Sequence, residues 1–266
     1  MTDLVVAAIF KRESQYIAEW LAWHRMVGAN EIWLWDNDEP TDRKTHRILA
    51  PYIANGIVSL VHTPGRKQQT NAYWEARERA ERRRDDIKWV AVVDLDEFLQ
   101  PCDGGTMVRT LEKFNQDDIA GVVGHWACFG SSHFGPAPAS CIGSFMHRPP
   151  QDFHWNQLVK QIFRPGRITS HLNPHEFPAA AGFRVVNTRW ETFSGAMRTP
   201  PIWDEFRVAH FITRSHEDYY DKLRRGFADQ DRPRPDQWVE LNRNDELDMS
   251  LAARIPELYD WLREFE

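Results

Sequence analysis

The stretch VAVVDLDEFLQP, residues 90–101, is the most informative part of the sequence for both the fold and the function. Its apolar, valine-rich beginning predicts a buried strand over residues 89–96. That strand ends on Asp94 and Asp96, and Glu97 follows directly. Because three carboxylates this close together repel one another, the arrangement needs either open water or a cation.

Apolar runs and helical periodicities alternate from the N-terminus up to this stretch. Strands are predicted at 4–10, 31–38, 57–62 and 89–96, and helices at 14–28, 41–56 and 68–86. Gly28 is expected to end the first helix, and Thr41 to cap the second, which contains Pro51. Strands that alternate with helices predict βαβ units and a mostly parallel sheet, and therefore the α/β class.

The pattern weakens after Pro101. Helices are predicted at 106–114, 215–226 and 250–266, and strands at 120–130, 157–165 and 183–190, with a loop rich in Gly, Ser, Pro and His at 130–150. The sequence shows neither an internal repeat nor a linker. We therefore expect one domain over residues 1–266 with an irregular second half.

The composition restricts the partners. The net charge of −6 argues against a nucleic-acid partner, and the mixed signs of RERAERRRDD (77–86) indicate a solvated helix face. The apolar run 4–10 is too short to span a bilayer and does not resemble a signal peptide. Three cysteines without metal-type spacing indicate free thiols, so a cytoplasmic location is expected.

Ligands in open α/β sheets bind beyond the carboxyl ends of the strands, where Glu13, Asp36, Asp94 and Asp96 are predicted to lie. Carboxylates suit Mg²⁺ or Mn²⁺, with substrate phosphates completing the coordination. A solvated strand end without a ligand is the plain alternative. Phosphatases of the haloacid dehalogenase type also place Asp-x-Asp after an apolar strand, but they use Thr or Val where this chain has Phe98.

Five motifs together resemble a known family. They are IFKRESQYIAEWLAWHRMVGANEIWLWDNDEPTD (9–42), WVAVVDLDEFL (89–99), GHWACFGSSHFG (124–135), VKQIFRP (159–165) and AHFITRSHEDYYDKLRRG (209–226). Their order and spacing are similar to those of glycosyltransferase family 92 and its bacterial family 2-like relatives, formerly a domain of unknown function (number 23). Arg12 stands where the family usually has Asn.

The resemblance implies a GT-A fold, with a Rossmann-like, mostly parallel sheet flanked by helices. Residues 1–100 would bind the nucleotide sugar, and the irregular half 101–266 would bind the acceptor. The implied reaction, part of polysaccharide biosynthesis, moves a sugar with inversion from a UDP-linked donor to a hydroxyl of a glycan or a lipid-linked glycan, using Mn²⁺ or Mg²⁺. Peripheral membrane association is compatible with this. A non-catalytic sugar-binding relative is the main alternative, and a metal-dependent phosphatase is a further one.

The resemblance also suggests residue roles. The metal would be held by Asp94, Asp96 and His210. The donor-binding residues would be Arg12, Glu13, Asp36, Asn37, Gln69, Asp94, Trp126, Gly130, Ser131, Lys160 and Arg164. The base that takes the acceptor proton is less clearly marked, with Glu176 as first choice, Asp204 as second, and Glu191 and His175 as alternatives. Glu97 is assigned to the scaffold.

Each assignment has a structural alternative. Trp126 could be a core residue, His210 a structural histidine, and His175 the cap of a loop. Asp36 could belong to an ordinary turn, and Lys160 could be an exposed strand cation.

Overall fold

A computed structural model describes residues 1–39, 43–170, 173–227, 230 and 232–264. The strands in these ranges are β1 (Thr2–Phe10), β2 (Glu31–Asp36), β3 (Val58–His62), β4 (Ile87–Val92), β5 (Glu97–Pro101), β6 (Ile119–Cys128), β7 (His147–Arg148), β8 (Val159–Phe163), β9 (Arg184–Asn187), β10 (Phe206–His210) and β11 (Glu246–Leu247). The α-helices are α1 (Ile17–Met26), α2 (Lys44–Ala54), α3 (Gln68–Arg82), α4 (Met107–Glu112), α5 (His216–Arg225), α6 (Trp238–Leu241) and α7 (Ile255–Leu262). Short 3₁₀ helices span His154–Gln157 and Ala252–Arg254.

Nine of the strands described form one mixed sheet in the order β3-β2-β1-β4-β8-β6-β10-β5, with β9 also pairing with β6. The first four strands of the chain pair in parallel, as the sequence predicts. Strand β8 runs antiparallel between β4 and β6, and β5 runs antiparallel to β10 at the far edge. The two halves of the chain therefore share a single sheet.

Apolar side chains cover both faces of this sheet. In β1, Leu4 and Val6 pack on the side of α1, while Val5 and Ala7 pack on the side of α3. Such burial on both faces explains why β1 reads as a continuous apolar run instead of an alternating pattern. Among the described residues, no helix combines the length and the apolar character needed to cross a bilayer.

Two tryptophans of α1 hold the turn after β4. The indole N–H of Trp20 donates to the carbonyl oxygens of Asp94 (3.2 Å) and Glu97 (2.9 Å). The indole N–H of Trp23 donates to the carbonyl oxygen of Leu99 at 2.8 Å. Both side chains are fully buried, so these indoles serve the scaffold and not a sugar surface.

The strand predicted at 89–96 ends earlier than expected. Strand β4 stops at Val92, and residues 93–96 form a turn in which the Glu97 N–H donates to the Asp94 carbonyl oxygen at 3.0 Å. Asp94 and Asp96 therefore lie in a turn and not in extended chain. Glu97 opens β5, because residues 97–101 pair antiparallel with β10. The local pattern does not show this long-range pairing.

Other boundaries differ by a few residues. Helix α3 ends at Arg82 instead of residue 86, and the C-terminal helix predicted at 250–266 consists of a 3₁₀ turn and α7. The predicted strands 31–38, 120–130, 157–165 and 183–190 are also shorter in the structure. Thr41 and the last two positions of the predicted C-terminal helix lie outside the described residues.

A buried ion-pair cluster ties the C-terminal segment to the sheet. One carboxylate oxygen of Asp248 accepts hydrogen bonds from Arg148 Nε and Arg207 Nη2, both at 2.8 Å. Ser250 Oγ also donates to this carboxylate. Burial alone would raise the pKa of Asp248, but Arg207, Ser250 and Arg148 hold it below its ordinary value of 3.8.

We expect Asp248→Asn to lower the free energy of unfolding by about 3 kcal/mol at pH 7, because two arginines lose a buried partner. A lowered folded-state pKa stabilises the native state above pH 3.8 and loses this effect as the pH falls below it. The difference between wild type and variant should therefore shrink below pH 4. Urea unfolding at several pH values measures it.

Asp245→Asn is the matched control. Asp245 pairs with Arg243 at a position where both side chains are more than one-third exposed, at 34% and 40%. Such a pair contributes at most about 1 kcal/mol. Equal destabilisation by the two substitutions would contradict the structural role given to Asp248.

Candidate functional site

A cavity of about 760 Å³ opens at the carboxyl ends of β1, β2 and β4. Its lining includes Phe10, Asn37 and Gln69 from the first half of the chain, and Trp126 and His210 from the second. The sheet order explains this composition, because β6 and β10 lie in the same sheet as the first four strands. The cavity therefore lies where a ligand of an open α/β sheet is expected.

Asp94 lies in the wall of the cavity with its oxygens already bonded. Oδ1 accepts hydrogen bonds from Gln69 Nε2 (2.9 Å) and from the Tyr73 hydroxyl (2.5 Å). Oδ2 accepts one from Lys160 Nζ at 2.8 Å. Burial alone would raise the pKa of Asp94, but the Lys160 ammonium holds it below its ordinary value. Asp94 is therefore an ionised and rigidly held acceptor.

Lys160 and Glu97 form the support behind Asp94. Lys160 is only 1% exposed, and its Nζ lies 3.1 Å from Glu97 Oε2. The same Oε2 accepts a hydrogen bond from the backbone N–H of Asp94 at 2.8 Å. Burial raises the pKa of Glu97 to about 8 in spite of Lys160. Glu97 does not line the cavity, in agreement with a scaffold role.

Asp96 lies on the other side of the turn, next to two residues of the C-terminal half. Its Oδ2 lies 2.5 Å from Lys222 Nζ and 3.5 Å from His210 Nε2. Burial alone would raise the pKa of Asp96, but Lys222 and then His210 hold it well below its usual range. Burial also lowers the pKa of His210 from 6.5, so the imidazole is neutral at pH 7.

The donor set for a divalent cation is small. The described residues contain no group of three or more His, Cys, Asp or Glu side chains arranged to hold a metal ion. Asp96 and the neutral His210 form a carboxylate–imidazole pair, a donor chemistry that suits Mn²⁺. This pair fits an ion that takes further oxygen ligands from a substrate diphosphate. Asp94, whose two oxygens accept three hydrogen bonds, is a poorer ligand.

The cavity is locally positive although the chain is acidic. Among the described residues, its lining contains six cationic side chains and four carboxylates, against a net charge of −6 for the whole chain. The cations are Lys11, Arg66, Lys67, Lys222, Arg225 and Arg234, and the acids are Glu13, Glu39, Asp94 and Asp96. Helix α3 also begins at this edge, and its N-terminus adds partial positive charge. The cavity is therefore suited to a polyanionic ligand.

The strand-end acids predicted to bind a nucleotide are largely occupied by protein groups. Glu13 lines the cavity, and its two oxygens accept hydrogen bonds from Arg214 (2.6 Å) and Arg225 (2.8 Å). Asp36 is buried outside the lining, where His46 Nε2 lies 2.5 Å from its Oδ2. Asn37 lines the cavity and donates to the carbonyl oxygens of Thr63 and Gly65.

Six other predicted residues lie outside the lining of this cavity, and one of them is Lys160, which pairs with Asp94 and Glu97 instead. Arg12 lines an adjoining cavity of about 110 Å³, which shares Glu13, Asp96, Lys222 and Arg225 with the main cavity. Gly130 and Ser131 pack against the segment 242–244, and the Ser131 N–H donates to Asn242 Oδ1. Arg164 lies at the opposite ends of the strands, away from the cavity, and donates to the Gln116 carbonyl oxygen. Asp204 binds Thr188 and Arg189.

Glu176, the first choice for the catalytic base, also does not line the cavity. Its Oε1 accepts a hydrogen bond from the Gly195 N–H at 2.8 Å. The alternative Glu191 accepts one from Asn187 Nδ2 and is likewise absent from the lining. The neighbouring His175 does line the cavity, in contact with Trp126. The structure therefore brings a different member of the loop 173–178 to the site.

Sequence reasoning missed Tyr73, Lys222 and Arg225. Lys222 and Arg225 are three residues apart on α5, so they share one face of that helix, directly after the strand that carries His210. That spacing could have marked both residues as candidates for the site. Tyr73 gave a weaker signal, because it falls four residues after Gln69 on α3 and so on the same face.

Comparison with known proteins identifies the family to which this chain belongs. The sequence profile of glycosyltransferase family 92 matches residues 5–194. The chain belongs to glycosyltransferase family 92. A glycosyltransferase family 92 protein of Ricinus communis is 24% identical over 223 residues, which cover 79% of this chain. The family 92 chain spans only 37% of the length of that plant relative.

Solved structures provide more distant matches to the family 92 chain. The crystal structure of S. aureus TarS covers 100% of this chain and 44% of its own, with 12% identity and a TM-score of 0.42. The structure of S. aureus TarS in complex with UDP-GlcNAc covers 62% of this chain and 45% of its own, with 14% identity and a TM-score of 0.37.

Proposed function

We propose that this chain is a metal-dependent glycosyltransferase of the GT-A type, which moves a sugar from a UDP-linked donor to an acceptor hydroxyl with inversion. The observation that carries the proposal is the cavity at the strand ends, where the Asp94–Asp96 turn meets His210 and Lys222. Family membership supports the reaction class. The acceptor is proposed to be a glycan or a lipid-linked glycan.

The charges of the cavity suit the departure of a nucleoside diphosphate. Lys222 and Arg225 lie on one face of α5, and both line the cavity. They are placed to bind the diphosphate oxygens as negative charge develops on them. Asp96 and His210 would hold Mn²⁺ or Mg²⁺, which when bound would help to neutralise the leaving diphosphate.

The alternative of a phosphatase that uses Asp94 as nucleophile is not favoured. A nucleophilic carboxylate needs an oxygen that can reach phosphorus. Both oxygens of Asp94 are committed, one to Gln69 and Tyr73 and the other to Lys160. A transferase needs no covalent bond to Asp94.

We expect UDP and UDP-galactose to raise the melting temperature in the presence of Mn²⁺, because a ligand that binds only the native state stabilises it. At about 100 times Kd the gain is about 2.7 kcal/mol, which corresponds to a shift of several degrees. Thermal unfolding with and without Mn²⁺ measures this effect. ADP with Mn²⁺ and Mn²⁺ alone are the controls.

Release of UDP from UDP-galactose, measured in the same samples, separates the alternatives. Binding without turnover, even with glycan acceptors, would favour the sugar-binding relative. Hydrolysis of p-nitrophenyl phosphate that depends on Asp94 would favour the phosphatase. The absence of any Mn²⁺-dependent nucleotide shift would contradict the proposed function.

A further inference from the structure

His175 is placed and oriented by its own backbone contacts. It belongs to the loop 173–178 and lines the cavity. Its Nδ1 lies 2.7 Å from the carbonyl oxygen of Val159, the first residue of β8. Because a carbonyl oxygen only accepts hydrogen bonds, Nδ1 carries the proton and Nε2 carries the lone pair. Burial, followed by the nearby Lys160, lowers the pKa of His175 to about 4, so the ring is neutral at pH 7.

Trp126 lies beside His175 and separates it from the candidate metal pair. The indole centroid is 5.3 Å from the His175 ring and 4.1 Å from the His210 ring. Trp126 is only 7% exposed, and its buried Nε1 has no hydrogen-bond partner among the described residues. An unpaired buried N–H is costly, and an oxygen of a ligand in the cavity would satisfy it. Trp126 therefore carries a donor without a protein partner, and its ring lies beside that of His175.

Most other basic side chains that line the described part of the cavity are paired with lysines or arginines, or lie at its exposed rim. Asp94 and Asp96 are bound by lysines, and Glu13 is bound by two arginines. Glu39 lies at the exposed rim, with 70% of its side chain accessible. No hydrogen bond joins His175 Nε2 to any described residue. His210 also lines the cavity, but its Nε2 faces Asp96 Oδ2 at 3.5 Å and its Nδ1 is buried, so His175 is the lining residue whose lone pair is available to a substrate.

We propose that His175 is the base that accepts the proton of the attacking acceptor hydroxyl, with Trp126 donating to a sugar oxygen beside it. This inference rests on the proposed glycosyltransferase function. The acceptor oxygen forms the new bond to the anomeric carbon, and the bond from that carbon to the diphosphate oxygen breaks. The electron pair of the broken bond leaves with the nucleoside diphosphate, and the hydroxyl proton moves to Nε2.

The charge balance of this step suits the cavity. Burial and Lys160 disfavour the imidazolium in the empty cavity, and the negative charge that develops on the diphosphate offsets this cost as the proton is transferred. The Val159 carbonyl oxygen remains bonded to Nδ1–H throughout, so the ring keeps its orientation. Loss of the proton from Nε2 to solvent restores the neutral base.

The test uses UDP-galactose with Mn²⁺, with water as the acceptor and UDP release as the readout. We expect His175→Ala to lower kcat by about 100-fold or more, the usual contribution of a general base. The Kd for UDP, measured by calorimetry, should stay unchanged. Added imidazole should restore part of the rate in His175→Ala, which a structural defect would not allow.

Glu176→Gln is the matched control, because glutamine keeps the oxygen that accepts the Gly195 N–H. It should retain the wild-type kcat. Loss of activity in Glu176→Gln with wild-type activity in His175→Ala would overturn the assignment. Loss of UDP binding in His175→Ala, or failure of imidazole to restore activity, would overturn it as well.

A measurement on the wild-type chain keeps the assignment testable if His175→Ala does not fold. Nitrogen-15 NMR should show His175 with the proton on Nδ1 and an unprotonated Nε2 at pH 7. A proton on Nε2 would overturn the proposal. A wild-type chain that binds no UDP with Mn²⁺ would instead overturn the proposed function itself, and this assignment with it.

Discussion

Asp96→Asn is expected to lower the rate of UDP release from UDP-galactose by about 1,000-fold, because the proposed metal ion would contribute several kcal/mol of charge stabilisation. Asparagine keeps the shape of the side chain but removes the charge that pairs with Lys222 and would bind the cation next to His210. The Mn²⁺ concentration needed for half-maximal activity should rise in the variant. A Mn²⁺ titration of UDP release measures both effects.

Asp86→Asn is the control for the loss of one negative charge. Asp86 is 49% exposed, follows α3 and pairs with Arg83 at the surface. Its removal should leave both turnover and Mn²⁺ dependence unchanged. Wild-type turnover and Mn²⁺ dependence in Asp96→Asn would be incompatible with a metal role for Asp96.

Lys160→Met is expected to lower the free energy of unfolding by about 3–5 kcal/mol, the cost of leaving buried charge without its partner. Methionine fills a similar volume but leaves the Asp94 carboxylate buried without its ammonium partner, beside a Glu97 whose pKa of about 8 keeps it largely protonated at pH 7. Because the turn that carries Asp94 and Asp96 depends on this cluster, donor turnover should fall as well. Urea unfolding at pH 7 together with UDP release measures the two losses.

Two further variants test the cause. Lys88→Met removes a lysine that pairs with Asp3 at the surface, with the two side chains 38% and 36% exposed, and should cost at most about 1 kcal/mol. Glu97→Gln replaces a side chain that is already largely protonated at pH 7 and should therefore cost clearly less stability than Lys160→Met. If Glu97→Gln costs as much stability as Lys160→Met, the unpaired Asp94 carboxylate is not the cause.

Much of the first half of the fold could be predicted from the sequence because its signals are local. The apolar runs that became β1, β2 and β3 mark strands wherever they occur in a chain, and α3 shows its amphipathic pattern within fifteen residues. The rule that parallel strands end at one edge then brings Asn37 and the Asp94–Asp96 turn together. Strand β5 escaped prediction because its pairing with β10 joins segments more than one hundred residues apart.

The site residues assigned in the second half of the chain were predicted less accurately, because their positions also depend on pairing between distant segments. Trp126 and His210 do line the cavity, whereas Gly130, Ser131 and Arg164 do not. An arginine is a suitable donor-binding residue. Because β8 runs antiparallel to β4, however, Arg164 lies at the opposite ends of the strands, away from the cavity. The local sequence does not indicate whether β8 runs parallel or antiparallel to its neighbours in the sheet.

The sequence by itself determined the α/β class, the family and the position of Asp94 and Asp96 at a strand end, because each can be recognised from short local motifs and their order in the chain. The tertiary structure decided which cations neutralise these acids. The pairing of Ala91 with Ile162 brings Lys160 beside Asp94, and α5 brings Lys222 to Asp96 across 126 positions. The tertiary structure also gave the neighbours His175 and Glu176 different surroundings. His175 lines the cavity, whereas Glu176 accepts a hydrogen bond from the backbone N–H of Gly195.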